Sequence, residues 1–285
     1  MIDLHLHTIY SDGSNTVEEI FKIAKSLNLS SISITDHDIL EGTKKGAEIS
    51  SNFGINFING VEITTRCKGD RELHILGYLF DENNEELNNT LQWIRDTRRL
   101  RNVELIELLN KLGYEVTLDE LEKIAGKKDN IGRPHFAKLL IKNGYFSNFD
   151  EVFQNLLGEG KKGYIEKKAI TPYDAIDIIH KAGGVAVLAH PLSYWYKDLD
   201  EVNDLIGNLA AEGLDGLEAV YVKYSDSEKD WIKRKAESLD LIITGGSDYH
   251  GKYKPNISLG RGLGNLNVPD ILVDKLYERK LKKKL

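Results

Sequence analysis

The sequence predicts an α/β fold: a closed or nearly closed β/α barrel interrupted by a helical insertion. Before residue 84 and after residue 160, short strand-like runs alternate with amphipathic helical ones, the pattern of strands joined by helical crossovers. Six or seven such strands can be counted, which suits a barrel better than a short open sheet. Between residues 84 and 160 the strand signal fades, and helical patterns separated by Gly-bearing breaks take over. An open doubly wound sheet is the alternative.

The first strand is IDLHLHT, where Ile2, Leu4 and Leu6 alternate with Asp3, His5 and His7. A period of two places both imidazoles on one face, side by side. TVEEIFKIAKSLN follows as a helix, SSISITDHD as a strand, GTKKGAEISSNFG as a helix, and INFINGVEIT and ELHILGYLF as strands. The insertion holds NEELNNTLQWIRDTRRLRNVELIELLNKLG, TLDELEKIAG, RPHFAKLLIKNG and NFDEVFQNLLG. Alternation resumes at TPYDAIDIIHKAG, where Thr171, Pro172 and Asp174 form a helix start. VAVLAHP, LDEVNDLIGNLAAEG, LDGLEAVYV, SDSEKDWIKRKAESLD and LIITGGSDYH complete the alternation, and KLYERKLKKKL reads as a solvated final helix. The expected organisation is barrel over 1–83, helical cap over 84–160, and barrel again over 161–285.

At 285 residues and 41% hydrophobic, the chain can bury a sizeable core. Its 45 acidic against 38 basic residues give no general affinity for nucleic acid or anionic membrane, so a phosphate-bearing substrate needs local positive charge. Cys67 is the single cysteine, which excludes intramolecular disulfides and a thiolate zinc cluster within one chain. With no apolar stretch of membrane-spanning length and no signal-like N-terminus, a cytoplasmic protein is expected, with no membrane partner.

The ionisable residues fall at telling positions. His5 and His7 end the first strand, His37 the second, and Glu62 the third. His74 lies in the fourth, His190 ends VAVLAH, and Asp248 and His250 follow LIITGGS. In a parallel barrel the C-terminal strand ends meet at one mouth, so these side chains should converge. A single histidine at a strand end is ordinarily structural. Six of the chain's eight histidines so placed, together with carboxylates, are costly to bury without a cation. Imidazole and carboxylate without thiolate suit Mn, Fe or Zn, and about nine ligands imply two or three ions, with Glu62 able to bridge. Asp12 in SDG would alone be a turn residue; following the HxH strand it reads as a ligand. Asp36 is expected to orient an imidazole from behind, with an acid at a helix N-terminus as the alternative.

HLHTIYSDG, ITDHD, NGVEI, LAHP and GSDYH, in that order, resemble the PHP (polymerase and histidinol phosphatase) metal-dependent phosphoesterases, over nearly the whole chain. The resemblance implies a distorted seven-stranded β/α barrel and a trinuclear centre, with Mn the expected metal. It implies His5, His7, Glu62 and Asp248 around one ion, Glu62, His74 and His190 around a second, and Asp12, His37 and His250 around a third. GRPHFAKLL resembles the branch with nucleoside 3',5'-bisphosphate phosphatases and 5'-to-3' exoribonucleases, and Arg133 and His135 carry that narrower likeness. Asp12 stands where the family's histidinol-phosphate phosphatases usually have histidine, which argues against that substrate.

The function expected is hydrolysis of a nucleotide phosphomonoester, such as that of pAp, by a metal-bound hydroxide, with no separate catalytic side chain assigned. Arg133, a forked donor, and His135, at a proline-led helix start with amides open to an anion, are expected to bind substrate phosphate under a lid formed by the insertion. The alternatives are a 5'-to-3' exoribonuclease on short 5'-phosphorylated RNA, an AMP or histidinol-phosphate phosphatase, an amidohydrolase-type carbon–nitrogen hydrolase, and an inactive metal-binding module. No protein partner is inferred. Trp195, with Tyr194 and Tyr196, is a weaker candidate for base stacking; His180 reads as structural, and the Arg95 to Arg101 run as a solvated helix face.

Overall fold

In the computed structural model, residues 1–67, 71–126, 131–166, 168–194 and 198–283 are described. The chain forms two compact units, one built from 1–67, 71–91 and 170–285, the other from 92–169.

The first unit is built on a seven-stranded sheet in sequence order: β1 (Ile2–Leu6), β2 (Ser31–Ile34), β3 (Asn56–Cys67), β4 (Arg71–Tyr78), β5 (Val185–Leu188), β6 (Gly216–Tyr221) and β7 (Ile242–Gly246). The sheet curls until its edges almost meet. His7 donates its amide to Tyr249 O at 3.0 Å, and a Cβ on Gly246 would stand 2.4 Å from His5 Cβ, so only glycine lets β7 come this close to β1.

One expectation is corrected. Neighbouring strands are parallel except that β4 runs antiparallel to both β3 and β5. Three residues separate β3 from β4, far too few for a crossover, so the pair is a hairpin. The reversal turns the start of β4 toward the ends of the parallel strands, which is how His74, opposite Thr64, comes to the mouth.

The helices of this unit follow the expected periodicity and caps. They are α1 (Val17–Ser26), α2 (Glu41–Ile49), the start of α3 (Glu85–Lys111), α7 (Pro172–Lys181), α8 (Leu199–Ala211), α9 (Asp226–Ser238) and α10 (Ile271–Lys282). Thr16 with Glu19, Thr171 with Asp174, and Ser225 with Glu228 form reciprocal capping boxes, each satisfying two otherwise orphaned amides. A core cluster joins Leu4, Ile58, Tyr78, Val187 and Val220 of five strands to Leu272, Val273 and Leu276 of α10. The final helix is therefore amphipathic and packed on the barrel, not solvated all round as its lysines alone suggest.

In the second unit, α3 continues and is followed by α4 (Leu118–Ala125), α5 (Arg133–Lys142) and α6 (Phe149–Val152), the last extended by a π-turn over Phe153–Leu157. Its own core includes Leu105, Leu109, Leu121, Phe136, Leu140 and Leu156. Arg101 lies at 6% exposure with its guanidinium donating to Asn102 Oδ1 at 2.8 Å, so the arginine run is not a uniformly solvated face.

Candidate metal centre

All nine side chains expected to hold metal lie in the first unit, and its mouth brings them together. His5 leaves the end of β1 and His7 follows it; their ring centroids are 5.1 Å apart, as the period-two spacing requires. Asp12 is carried by a tight turn in which Ser11 and Gly13 donate their amides to Thr8 O. His37 follows β2, where Asp38 donates its amide to Glu62 O at 3.0 Å and so extends the pairing with β3. His190 and Asp248 hold left-handed backbone angles, φ 28° and 53°, uncommon for side-chain-bearing residues and frequent where function dictates geometry.

Glu62 is the centre. Its Oε1 lies 3.0 Å from His74 Nδ1 and 3.1 Å from His190 Nε2. Its Oε2 lies 3.2 Å from both His5 Nε2 and His7 Nε2 and 3.3 Å from His37 Nδ1. One carboxylate thus faces two groups of imidazoles, one on each oxygen. Four sets have one donor atom from each member within 4.8 Å of the others: His7, Asp12, His37 and His250; His5, Glu62 and His190; His5, His7 and Asp248; and His37, Glu62 and His74.

Electrostatics show what this packing demands. Burial raises the cost of charge on Glu62, yet His37, His5 and His74 hold its carboxyl well below the usual range. Burial opposes protonation of His7 too, but the Asp248 and Glu62 carboxylates beside it push the imidazole up to about 9. Burial drives His37 down to about 4, aided by the neighbouring His7 and His74 charges. The carboxylates therefore keep their charge only against borrowed protons, which a divalent ion can displace.

The donors fit such an ion. His5 Nε2, both nitrogens of His7, His37 Nδ1 and His74 Nδ1 are buried and make no aligned hydrogen bond, a costly condition unless a cation completes them. The set is oxygen and imidazole without thiolate, the chemistry of Mn, Fe or Zn.

Other expected residues fall elsewhere. Arg133 and His135 lie in the second unit at the start of α5. The Arg133 guanidinium sits 5.6 Å over the Tyr164 ring, and His135 Nδ1 accepts the Gly132 amide at 3.0 Å. That amide is consequently occupied by the helix's own side chain and is not open to an anion. Trp195 and Tyr196 lie outside the described residues; Tyr194 OH accepts the His74 amide at 2.7 Å. His180 bonds Asp215 through Nε2 at 2.9 Å, away from the cluster.

Asp36 departs from its expected role. It accepts Thr8 N at 2.7 Å, Thr8 Oγ1 at 2.6 Å and Ser11 Oγ at 2.5 Å, and so braces the turn carrying Asp12, touching no imidazole. Three supporting residues were not singled out from the sequence: Asp3, Glu218 and Tyr221. Glu218 Oε1 lies 2.9 Å from His5 Nδ1, and Tyr221 OH donates to Asp248 Oδ2 at 2.8 Å. The available signal was a charged residue inside the otherwise apolar strand LEAVY, where an acid is rarely buried without a partner.

Against known proteins, residues 3–244 match the model of the PHP domain family. A 5'-3' exoribonuclease of Haemophilus influenzae is 32% identical over 253 residues, covering 87% of this chain and 89% of the relative. A 3',5'-nucleoside bisphosphate phosphatase of Chromobacterium violaceum is 31% identical over 251 residues, covering 87% of each chain. The crystal structure of a metal-dependent phosphoesterase from Bifidobacterium adolescentis superposes with a TM-score of 0.77 at 30% identity, covering 98% of this chain and 96% of that one.

Proposed function

As the chain belongs to the PHP domain family and is a metal-dependent phosphoesterase, we propose that its substrate is a nucleotide phosphomonoester, a 3',5'-bisphosphate such as pAp. In this reading His5, His7, Asp12, His37, Glu62, His74, His190, Asp248 and His250 hold two or three divalent ions, manganese foremost. The observation that carries it is the double-sided Glu62 carboxylate, with His74 and His190 at one oxygen and His5, His7 and His37 at the other. Such ions supply positive charge for phosphoryl oxygens and lower the pKa of water toward neutrality. The turn braced by Asp36 fixes Asp12 at the rim.

Arg133 and His135 are the proposed phosphate anchors. Support comes from their chemistry: a guanidinium forks onto phosphate oxygens, and an imidazole N–H donates to one. A bisphosphate supplies a second anion for such an anchor. The likeness to the Chromobacterium phosphatase favours this substrate, and the likeness to the Haemophilus exoribonuclease favours a second reading, mononucleotide release from short 5'-phosphorylated RNA. Among the described residues no helix is long and apolar enough to cross a membrane, and with a lone cysteine we place the enzyme in the cytoplasm.

The test is one panel with manganese-loaded protein: phosphate release from pAp, AMP and histidinol phosphate, and mononucleotide release from 5'-phosphorylated RNA. The expected preference is pAp. Turnover of histidinol phosphate alone would overturn the nucleotide reading, and inactivity across the panel would mark an inert metal-binding module.

A further inference from the structure

Strand β6 sends none of the nine proposed ligands to the cluster, yet two of its side chains reach the ligands from behind. Glu218 is completely buried. Its Oε1 lies 2.9 Å from His5 Nδ1, and its Oε2 accepts the His190 amide at 2.8 Å. A carboxylate only accepts, so the ring proton of His5 belongs on Nδ1 and the lone pair of Nε2 faces Glu62 and Asp248. The same carboxylate holds the backbone of His190, whose φ of 28° needs an external restraint. Tyr221, three residues on, holds Asp248 Oδ2 at 2.8 Å, leaving Oδ1 directed at His7 Nε2, 3.4 Å away.

We propose that β6 is a positioning strand, in which Glu218, supported by Tyr221, sets metal affinity on the His5 side of the cluster. Among the described residues, none of His7, Asp12, His37 and His250 makes a hydrogen bond or ion pair with Glu218, whose carboxylate meets His5 and the His190 amide, and His250 takes its own orientation from Asp248 O, 2.8 Å from its Nδ1. Glu218 therefore acts on part of the centre only. The assignment rests on the metal-centre reading, and it adds which ions are governed by a residue that ligates none of them. A carboxylate behind an imidazole fixes its tautomer and raises its basicity, and loss of such a partner costs about 10–100-fold in metal affinity.

The test is a manganese titration of chelator-stripped, dialysed protein, with free Mn²⁺ followed by electron paramagnetic resonance. Glu218→Gln keeps the shape but presents an amide N–H₂ to either the His5 ring or the His190 amide, both donors. The expected result is weakening by about 10–100-fold at some sites, with the remainder at wild-type affinity. Adding Glu218→Gln to His5→Asn should then weaken the sites that depend on His5 by much less than it does in the wild-type background, because the ring it orients is gone. Tyr221→Phe, which removes a single hydroxyl, should weaken the same class less, and it carries the test should Glu218→Gln fail to fold. Wild-type affinity at every site in these variants, or equal weakening at every site, would overturn the assignment. Absence of manganese binding by the wild type would instead overturn the metal centre itself, and this assignment with it.

Discussion

Asp3 Oδ2 accepts the Ser247 hydroxyl at 2.6 Å, joining the first strand to the residue that follows the last. The Ser247 amide reaches Asp3 Oδ1 at 2.9 Å and the Gly260 amide reaches Oδ2 at 2.7 Å, so one buried carboxylate replaces ladder bonds at the barrel seam. Asp3→Ala leaves these donors unsatisfied in the interior and should destabilise the fold by about 3 kcal/mol, read from urea unfolding. A loss below about 1 kcal/mol would show that the seam is held by packing alone.

At the base of the barrel, Asp215 accepts the Ala186 amide at 2.8 Å and faces Lys283 Nζ at 2.6 Å and His180 Nε2 at 2.9 Å. Burial raises its carboxyl, but the bonds from His180, Lys283 and Ala186 outweigh this and hold it below the ordinary value of 3.8. The native state then binds fewer protons than the unfolded one near that value. Its stabilisation is complete above pH 3.8 and fades as the pH falls through the lowered native value. Asp215→Asn should lose most at neutral pH, and the gap between the two proteins should narrow below about pH 4 in denaturant titrations at several pH values. A gap that does not change with pH would sink this account.

His7 is fully buried and its Nε2 lies near both Glu62 and Asp248. His7→Ala should remove bound metal and phosphoesterase activity together, with more than about a 100-fold loss of activity, since even an outer partner is worth that much. Retained metal by elemental analysis alongside lost activity would refute its place among the ligands.

Arg133→Ala should act differently, raising KM by about 10–100-fold while changing kcat less, because a phosphate anchor contributes binding common to substrate and transition state. Arg133→Lys should recover part of the loss. A variant that instead lost bound metal would reverse the assigned roles.

Much of this was legible in the chain itself because the relevant physics is local. Strand and helix periods follow from the alternation of Ile2, Leu4 and Leu6 with Asp3, His5 and His7, and from capping signals such as Thr171 with Asp174. The imidazoles and acids at strand ends pointed to one mouth because a strand has only two ends. The roles of Asp36 and Glu218 were not legible, since a carboxylate's partner can lie anywhere in the sequence. Glu218 meets a residue 213 positions away.

The sequence by itself determined the elements, their order and the donor types available to a cation, all consequences of short-range periodicity and side-chain chemistry. The tertiary structure alone decided that β4 reverses, that Asp3 closes the seam, that each Glu62 oxygen faces a different group of imidazoles, and which carboxylates stand behind the candidate ligands. Those outcomes depend on how strands pair and how buried charges find partners across long stretches of chain, which no local pattern encodes.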